Sequence, residues 1–349
     1  MERGEKALII ITPGFPSDEL DTTCLPPVQS FVRAVNRNFP SLKIIILALR
    51  YPYTDHSYEW NSNLVIPLNG NQRFRIGLWM KAHNKLKRIV AQEQVIGLLN
   101  FWCLEAALIG SFFARLSHLP NLIWVHGQDA RKNNPYVKFI RPKANELIAL
   151  SEFLAIEFTS NHKIRPGHII PNGIDVTEFT VQETERTIDL IGVGSLIPLK
   201  QYSIFIEVVA ELAKTIPDLR AALCGAGPDL NTLREKVKAL RLEANVTFYG
   251  ELPHSQVLKM MQRSKLLLHP STYEGYSTVC LEALYAGCHV VSFTKAENRT
   301  IDHWHLVANV SEMISVSSDV LRNTIAFKPT LVHDINDSAR QLIKLFNQR

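Results

Sequence analysis

The sequence predicts an α/β protein of two doubly wound parallel sheets, on three observations. Short apolar runs of buried-strand length recur between helical patterns, a polar stretch from Asp175 to Thr187 interrupts the rhythm, and the rhythm then restarts. At roughly 150 residues per domain, 349 residues make more than one core. Apolar residues at 46% and charged residues at 20% exclude a disordered or fibrous chain.

In the first half the strand runs are Ala7–Thr12, Lys43–Leu49, Val95–Asn100, Asn121–His126 and Glu146–Leu150. The stretch from Leu98 to Ala114 carries Asn100 and Glu105, so it reads as a strand end followed by a buried helix, not a membrane span. In the second half the runs are Ile188–Gly194, Ala221–Cys224, Val246–Tyr249, Leu266–His269 and His289–Phe293. Between them, Leu230, Leu233, Val237 and Leu240 give one helix an apolar face opposite Arg234, Glu235, Lys236 and Lys238. The expected domains are 1–170 and 171–334, with a final helical segment, 335–349, free to pack back on the first. Two such sheets imply a cleft between them, with ligands outside the carboxyl ends of the strands.

The net charge of +5 sits in the first half, where residues 1–180 hold 20 Lys and Arg against 15 acids; residues 181–349 hold 18 of each. This excess is too diffuse for a nucleic-acid partner and suits phosphates or an anionic surface. Cys24, Cys103, Cys224, Cys280 and Cys288 lack CxxC spacing and read as reduced, buried thiols. Neither they nor the histidines show zinc spacing, and no metal or cofactor is expected. The first apolar run is strand-length, not a signal peptide, and a cytoplasmic protein is expected.

The chemistry-bearing residues fall in loops after strands. Gly14, in the loop after the first strand, lets backbone approach a phosphate, and a plain turn explains it equally well. Gly194-Ser195 leads to Lys200 near a helix start, where amides and an ammonium can cradle an anion; the alternative is a solvated surface lysine. No GxxxxGK[ST] string occurs, which argues against kinase-type transfer. The Gly225-Ala226-Gly227-Pro228 turn reads as scaffold. His269 to Glu282 carries the strongest signal. Its helix from Thr278 to Ala286 is apolar nearly all round except Glu282, and a lone carboxylate on a buried helix must be paired or face a ligand. Glu274 lies in the preceding loop, whose amides around Ser277, Thr278 and Val279 form an anion site. A diphosphate there would leave Glu282 and Glu274 within reach of sugar hydroxyls. His126 and Asp129 follow a first-half strand and are expected to face the cleft, with a purely structural histidine as the alternative.

Together, "LIALSEFL", "IIPNGIDVTEF", "IGVGSLIPLK", "LCGAGP", "VTFYGELP" and "HPSTYEGYSTVCLEALYAG" between Leu147 and Val291 resemble the retaining glycosyltransferases of family 4; "PGFP" and "WVHG" carry the resemblance into the first half. The resemblance implies the GT-B fold of two Rossmann-like domains and transfer of a sugar from a UDP- or GDP-sugar with retained anomeric configuration. Acceptors so implied are a saccharide or lipid-linked saccharide, in cell-surface polysaccharide or glycolipid synthesis. It makes His126, Glu274 and Lys200 catalytic, with the donor held by Gly14, Gly194, Ser195, Gly275, Tyr276, Ser277, Thr278, Val279 and Glu282. Family members usually have Arg at Ser195 and Gly at Gln201, so one diphosphate cation is replaced here. The alternatives are a nucleotide-sugar epimerase of the same fold and a non-catalytic nucleotide-binding subunit.

Arg73, Arg75, Lys81, Lys85, Lys87 and Arg88 surround a helical pattern carrying Ile76, Leu78, Trp79, Met80, Leu86 and Ile89. Segment 73–89 is therefore expected either to lie on an anionic membrane surface or to dock with a solvated basic face.

Overall fold

The computed structural model describes residues 6–72, 74–180, 185–295, 297, 299–323 and 327–347. The chain divides into two units, Met1–Gly173 with Ile335–Arg349, and Ile174–Asp334.

The first unit runs β1 (Lys6–Gly14), α1 (Pro26–Asn38), β2 (Lys43–Tyr51), β3 (Tyr58–Trp60), β4 (Asn63–Pro67), α2 (Arg75–Gln92), β5 (Gln94–Phe101), α3 (Glu105–Ser117), β6 (Asn121–Val125), α4 (Tyr136–Ile140), β7 (Leu147–Ala149), α5 (Glu152–His162) and β8 (His168–Ile169). Its eight strands lie in the order β3-β4-β2-β1-β5-β6-β7-β8, parallel except for β3 against β4. Unbroken apolar runs such as Ala7–Ile11 suit strands covered on both faces, and that run is fully buried. β3 and β4 break the strand–helix rhythm because they form a hairpin. Asn61 and Ser62 both take positive φ (44° and 61°), as a two-residue turn matching the strand twist requires.

The second unit runs β9 (Ile188–Val193), α6 (Tyr202–Ala213), β10 (Ala221–Cys224), α7 (Leu230–Ala239), β11 (Val246–Gly250), α8 (His254–Gln262), β12 (Ser264–His269), α9 (Thr278–Tyr285), β13 (His289–Ser292), β14 (Trp304–Leu306) and α10 (Val310–Arg322). The sheet order β11-β10-β9-β12-β13-β14 is a 3-2-1-4-5-6 doubly wound sheet whose direction of winding reverses between β9 and β12. The two passages of chain at its edge are tied together, with Ile174 N–H donating to His333 O at 3.0 Å. α11 (Ile335–Asn347) packs on α1 and β5 of the first unit. Gly97 permits this approach, since a Cβ there would stand 2.5 Å from the Phe346 ring.

Of the two alternatives for segment 73–89, α2 docks on the core through Leu78, Leu86 and Ile89 with Lys87 and Arg88 exposed, while Ile76 and Met80 on another face are also exposed. Arg73 lies outside the described residues. α3 is buried all round from Glu105 to Ser111, as the sequence led one to expect, and exposes Phe112 and Leu116 on one side of its later turns. Cys103, Cys224, Cys280 and Cys288 are buried free thiols, and Cys24 is half-buried. Among the described residues, no helix is long and apolar enough to cross a membrane.

Candidate functional site

The winding reversal between β9 and β12 brings together the two loops that carry the sequence candidates of the second unit. After β9 the chain passes Gly194 and Ser195 to a short turn at Pro198–Lys200; after β12 it passes Gly275 and Tyr276 to the start of α9. Thr272 N–H donates to Leu199 O at 3.2 Å and fastens the loops to each other. The β10 turn fastens the first loop from the other side: Gly194 N–H donates to Cys224 O and Leu196 N–H to Ala226 O. Gly194 and Gly225 lie back to back with φ near +144° and +143°, and a Cβ on Gly225 would stand 1.9 Å from Gly194 O. The GAGP turn is thus scaffold for the Gly194–Lys200 loop.

Lys200 Nζ donates to Glu274 Oε1, to which His269 Nε2 also comes within 2.8 Å. His269 ends β12 and is itself buried, and Ser277 Oγ lies 3.4 Å from the same ring nitrogen. Burial by itself would raise the Glu274 carboxyl, but the His269 bond and charge, reinforced by Lys200, hold it down at about 2. Glu274 is therefore an ionised acceptor, and among the described residues no hydrogen bond engages its second oxygen, although a carboxylate offers about four lone-pair positions.

Glu282 stands on α9, one turn into the helix, and the paired state demanded of a buried carboxylate is met by a residue not expected from the sequence. His254, at the start of α8, lies 2.8 Å from Glu282 Oε1 through Nε2 and 2.9 Å from Glu178 Oε2 through Nδ1. Burial would lower the His254 imidazole, but Glu282 and Glu178 overcome this and raise it to about 10. Both ring nitrogens thus donate, and His254 is an imidazolium at neutral pH.

The remaining candidates of this unit occupy the same two loops. Ser195 is exposed, and Ser277, Thr278 and Val279 form the N-terminus of α9. The Tyr276 hydroxyl donates to Glu297 Oε1 at 2.9 Å, and His333 Nε2 lies 2.7 Å from that oxygen. Among the described residues no group of three His, Cys, Asp or Glu is arranged to hold a metal ion.

In the first unit, Gly14 ends β1, its carbonyl accepting from the Thr12 hydroxyl at 3.0 Å. A Cβ on Gly14 would meet only ordinary contacts, the nearest at 3.4 Å, so packing within the protein does not demand glycine there. His126 follows β6 with its ring against Trp102, Phe101 and Trp124, at centroid distances of 4.7, 5.4 and 5.2 Å. Its Nε2 is buried with no hydrogen-bond partner among the described residues, and burial pushes the imidazole down to about 3, so the ring is neutral. The expectation for Asp129 is corrected. It is buried and turned inward, accepting from the backbone N–H groups of Cys103, His126 and Gly127, which makes it the fastener of the His126 loop.

His269, His254 and Glu178 were not singled out by sequence reasoning. His269 sat inside the strongest motif, at a strand end, which is a usable signal; His254 and Glu178 are separated from Glu282 along the chain and gave none.

Residues 175–301 match the family described as Glycosyl transferases group 1. Among curated proteins, the gpi3 subunit of phosphatidylinositol N-acetylglucosaminyltransferase from Schizosaccharomyces pombe is 28% identical over 210 residues, covering 56% of this chain. The match spans 44% of that relative, less than half its length. Among solved structures, sucrose-phosphate synthase from Thermosynechococcus elongatus superposes with a TM-score of 0.70 at 14% identity, covering 98% of each chain. Anabaena HepE in complex with UDP gives a TM-score of 0.67 at 15% identity, again covering 98% of each. The fold is GT-B.

Proposed function

We propose that this GT-B chain, with its match to the group 1 glycosyl transferases, transfers a sugar from a UDP- or GDP-sugar to an acceptor hydroxyl with retention of configuration. The observation that carries the reading is the Lys200–Glu274–His269 cluster, because it sets a cation and an ionised acceptor beside the amides that open α9. The diphosphate would rest on those amides, Gly194, Ser195 and Lys200, the transferred sugar on Glu274 and the nucleotide ribose on Glu282.

In this mechanism the acceptor oxygen bonds to the anomeric carbon as the bond from that carbon to the phosphate oxygen breaks. The acceptor's proton passes to the departing phosphate. Lys200 and the helix amides stabilise the charge that develops there, and no metal is needed for that role.

The relative's name, a phosphatidylinositol-modifying transferase, supports a lipid-borne acceptor and work at a membrane face in glycolipid or polysaccharide synthesis. The same name contains "subunit", and exposed Ser195 stands where the family usually has arginine, which together favour a second reading as a non-catalytic nucleotide-binding subunit. A thermal-shift and hydrolysis screen with UDP-, GDP- and ADP-sugars separates them. The transferase binds and slowly hydrolyses one donor; the subunit binds without turnover.

A further inference from the structure

An apolar groove of about 800 Å³ lies in the first unit, between the first half of α2, the middle of α3 and α4. Its floor is Leu108, Ile109 and Phe113, which are buried; its walls are exposed apolar side chains, with Ile76 at 69%, Met80 at 60%, Phe112 at 51% and Phe139 at 67% exposure. A concave site of this size matches those that enclose small molecules, and contiguous exposed apolar surface marks an interaction site. α3 begins four residues after β5 ends, and α4 follows the His126 loop.

The segment that forms it is basic, although Lys81 within it pairs with Asp55. Residues 74–145 hold eleven Lys and Arg against three acids, Glu93, Glu105 and Asp129. All three acids are engaged: Glu93 with Lys43, Glu105 with Arg50 and the Trp79 indole, and Asp129 with backbone amides. Arg75 lines the groove and exposed Lys138 sits on α4 beside Phe139.

We propose that this groove holds the hydrocarbon chain of an anionic lipid, with its phosphate head among the basic residues of the rim. Calling that lipid the acceptor rests on the transferase reading; its capture by the groove does not. A second copy of this chain fits poorly, since self-association through this face would set the same positive field against itself. A helix resting on a bilayer needs only a convex apolar stripe, whereas three helices here build a concave one.

The test is calorimetric titration of the whole protein with butyl, octyl and dodecyl phosphate below their micelle concentrations, and with inorganic phosphate. The expected result is one site whose affinity rises about a hundredfold or more from octyl to dodecyl, since each of four added methylenes is removed from water. Dodecyl maltoside should bind at least tenfold more weakly than dodecyl phosphate. The double variant Phe112→Gln, Phe139→Gln changes only exposed positions, so it should fold, as circular dichroism checks, and lose at least tenfold in dodecyl phosphate affinity. Affinity independent of chain length, unchanged affinity in the double variant, or a native dimer that dodecyl phosphate does not dissociate would overturn the proposal. UDP titration of the native protein runs in parallel. UDP binding without chain-length dependence sinks the groove and leaves the transferase reading; chain-length dependence without UDP binding does the reverse.

Discussion

His254 holds Glu282 through a 2.8 Å contact from Nε2, and the opposite ring nitrogen engages Glu178, so one imidazolium fixes a carboxylate from α9 against the segment that enters the second unit. Removing it leaves two half-buried carboxylates facing each other. His254→Ala should lower stability by about 2 kcal/mol, somewhat less than the cost of breaking a fully buried pair by deleting one partner. It should also weaken UDP binding by loosening Glu282. Urea denaturation and calorimetry on the same variant check both effects.

Lys200 should carry most of the charge stabilisation at the leaving phosphate, because Ser195 supplies no cation. Lys200→Ala is expected to lower turnover about a hundred- to a thousandfold, and Ser195→Arg to be harmless or beneficial. Initial rates of UDP release measure both; near-normal rates in Lys200→Ala would contradict this role.

Glu282 and Glu274 should separate by function. Glu282→Ala is expected to weaken free UDP or GDP about tenfold or more, as loss of a hydrogen bond to a charged group does. Glu274→Ala should leave nucleoside diphosphate affinity within a factor of about three, from loss of one charge near the phosphates, while turnover collapses. Equal effects on nucleotide affinity would show that the two roles are not distinct.

The pH dependence of stability follows from three groups. Glu274 has a depressed folded value near 2 against 4.5, so its contribution is present above pH 4.5 and lost as pH falls toward 2. His254 has a raised value near 10 against 6.5, so its contribution is full below pH 6.5 and lost as pH rises through 10. Neutral His126, depressed to about 3, contributes above pH 6.5 and loses this as pH falls through 3. The penalty of His254→Gln should therefore shrink toward pH 10 and that of Glu274→Gln below pH 4, as denaturation at several pH values will reveal. Turnover should show no inflection from Glu274 or His126 between pH 5 and 9.

Activity should survive EDTA, because Lys200 and the amides opening α9 take the place that a divalent cation would fill beside the leaving phosphate. Loss in EDTA with recovery on adding Mg²⁺ or Mn²⁺ would contradict the metal-independent reading.

Much of the fold was legible because buried parallel strands write themselves as unbroken apolar runs, as Ala7–Ile11 and Leu266–Leu268 do. The elements that escaped are short: β3, β8 and β14 are edge strands of two or three residues that bury little, and β4, though mostly buried, follows a turn at Asn61-Ser62 that gives little signal. Lys200 and Glu274 were found because each follows a strand end, and the sheet order places those two ends side by side. Their direct pairing depends on the backbone bond between Thr272 and Leu199, which no local pattern announces. His254 is similarly invisible: its meaning comes from Glu178 and Glu282, distant in sequence on either side. The groove was hidden because the sequence places Ile76 and Met80 on one helical segment and Phe112 in a buried helix, and only the packing of α3 against α2 and α4 brings them together as exposed walls.

The most direct measurement is nucleoside diphosphate release from a panel of UDP- and GDP-sugars by the native protein and by Glu274→Ala, with water as the default acceptor. The expected result is release from one donor by the native protein and none above background by the variant, while calorimetry finds that both still bind the nucleoside diphosphate. Donor binding by the native protein with no release, or equal release by both proteins, would contradict sugar transfer at the Lys200–Glu274–His269 cluster.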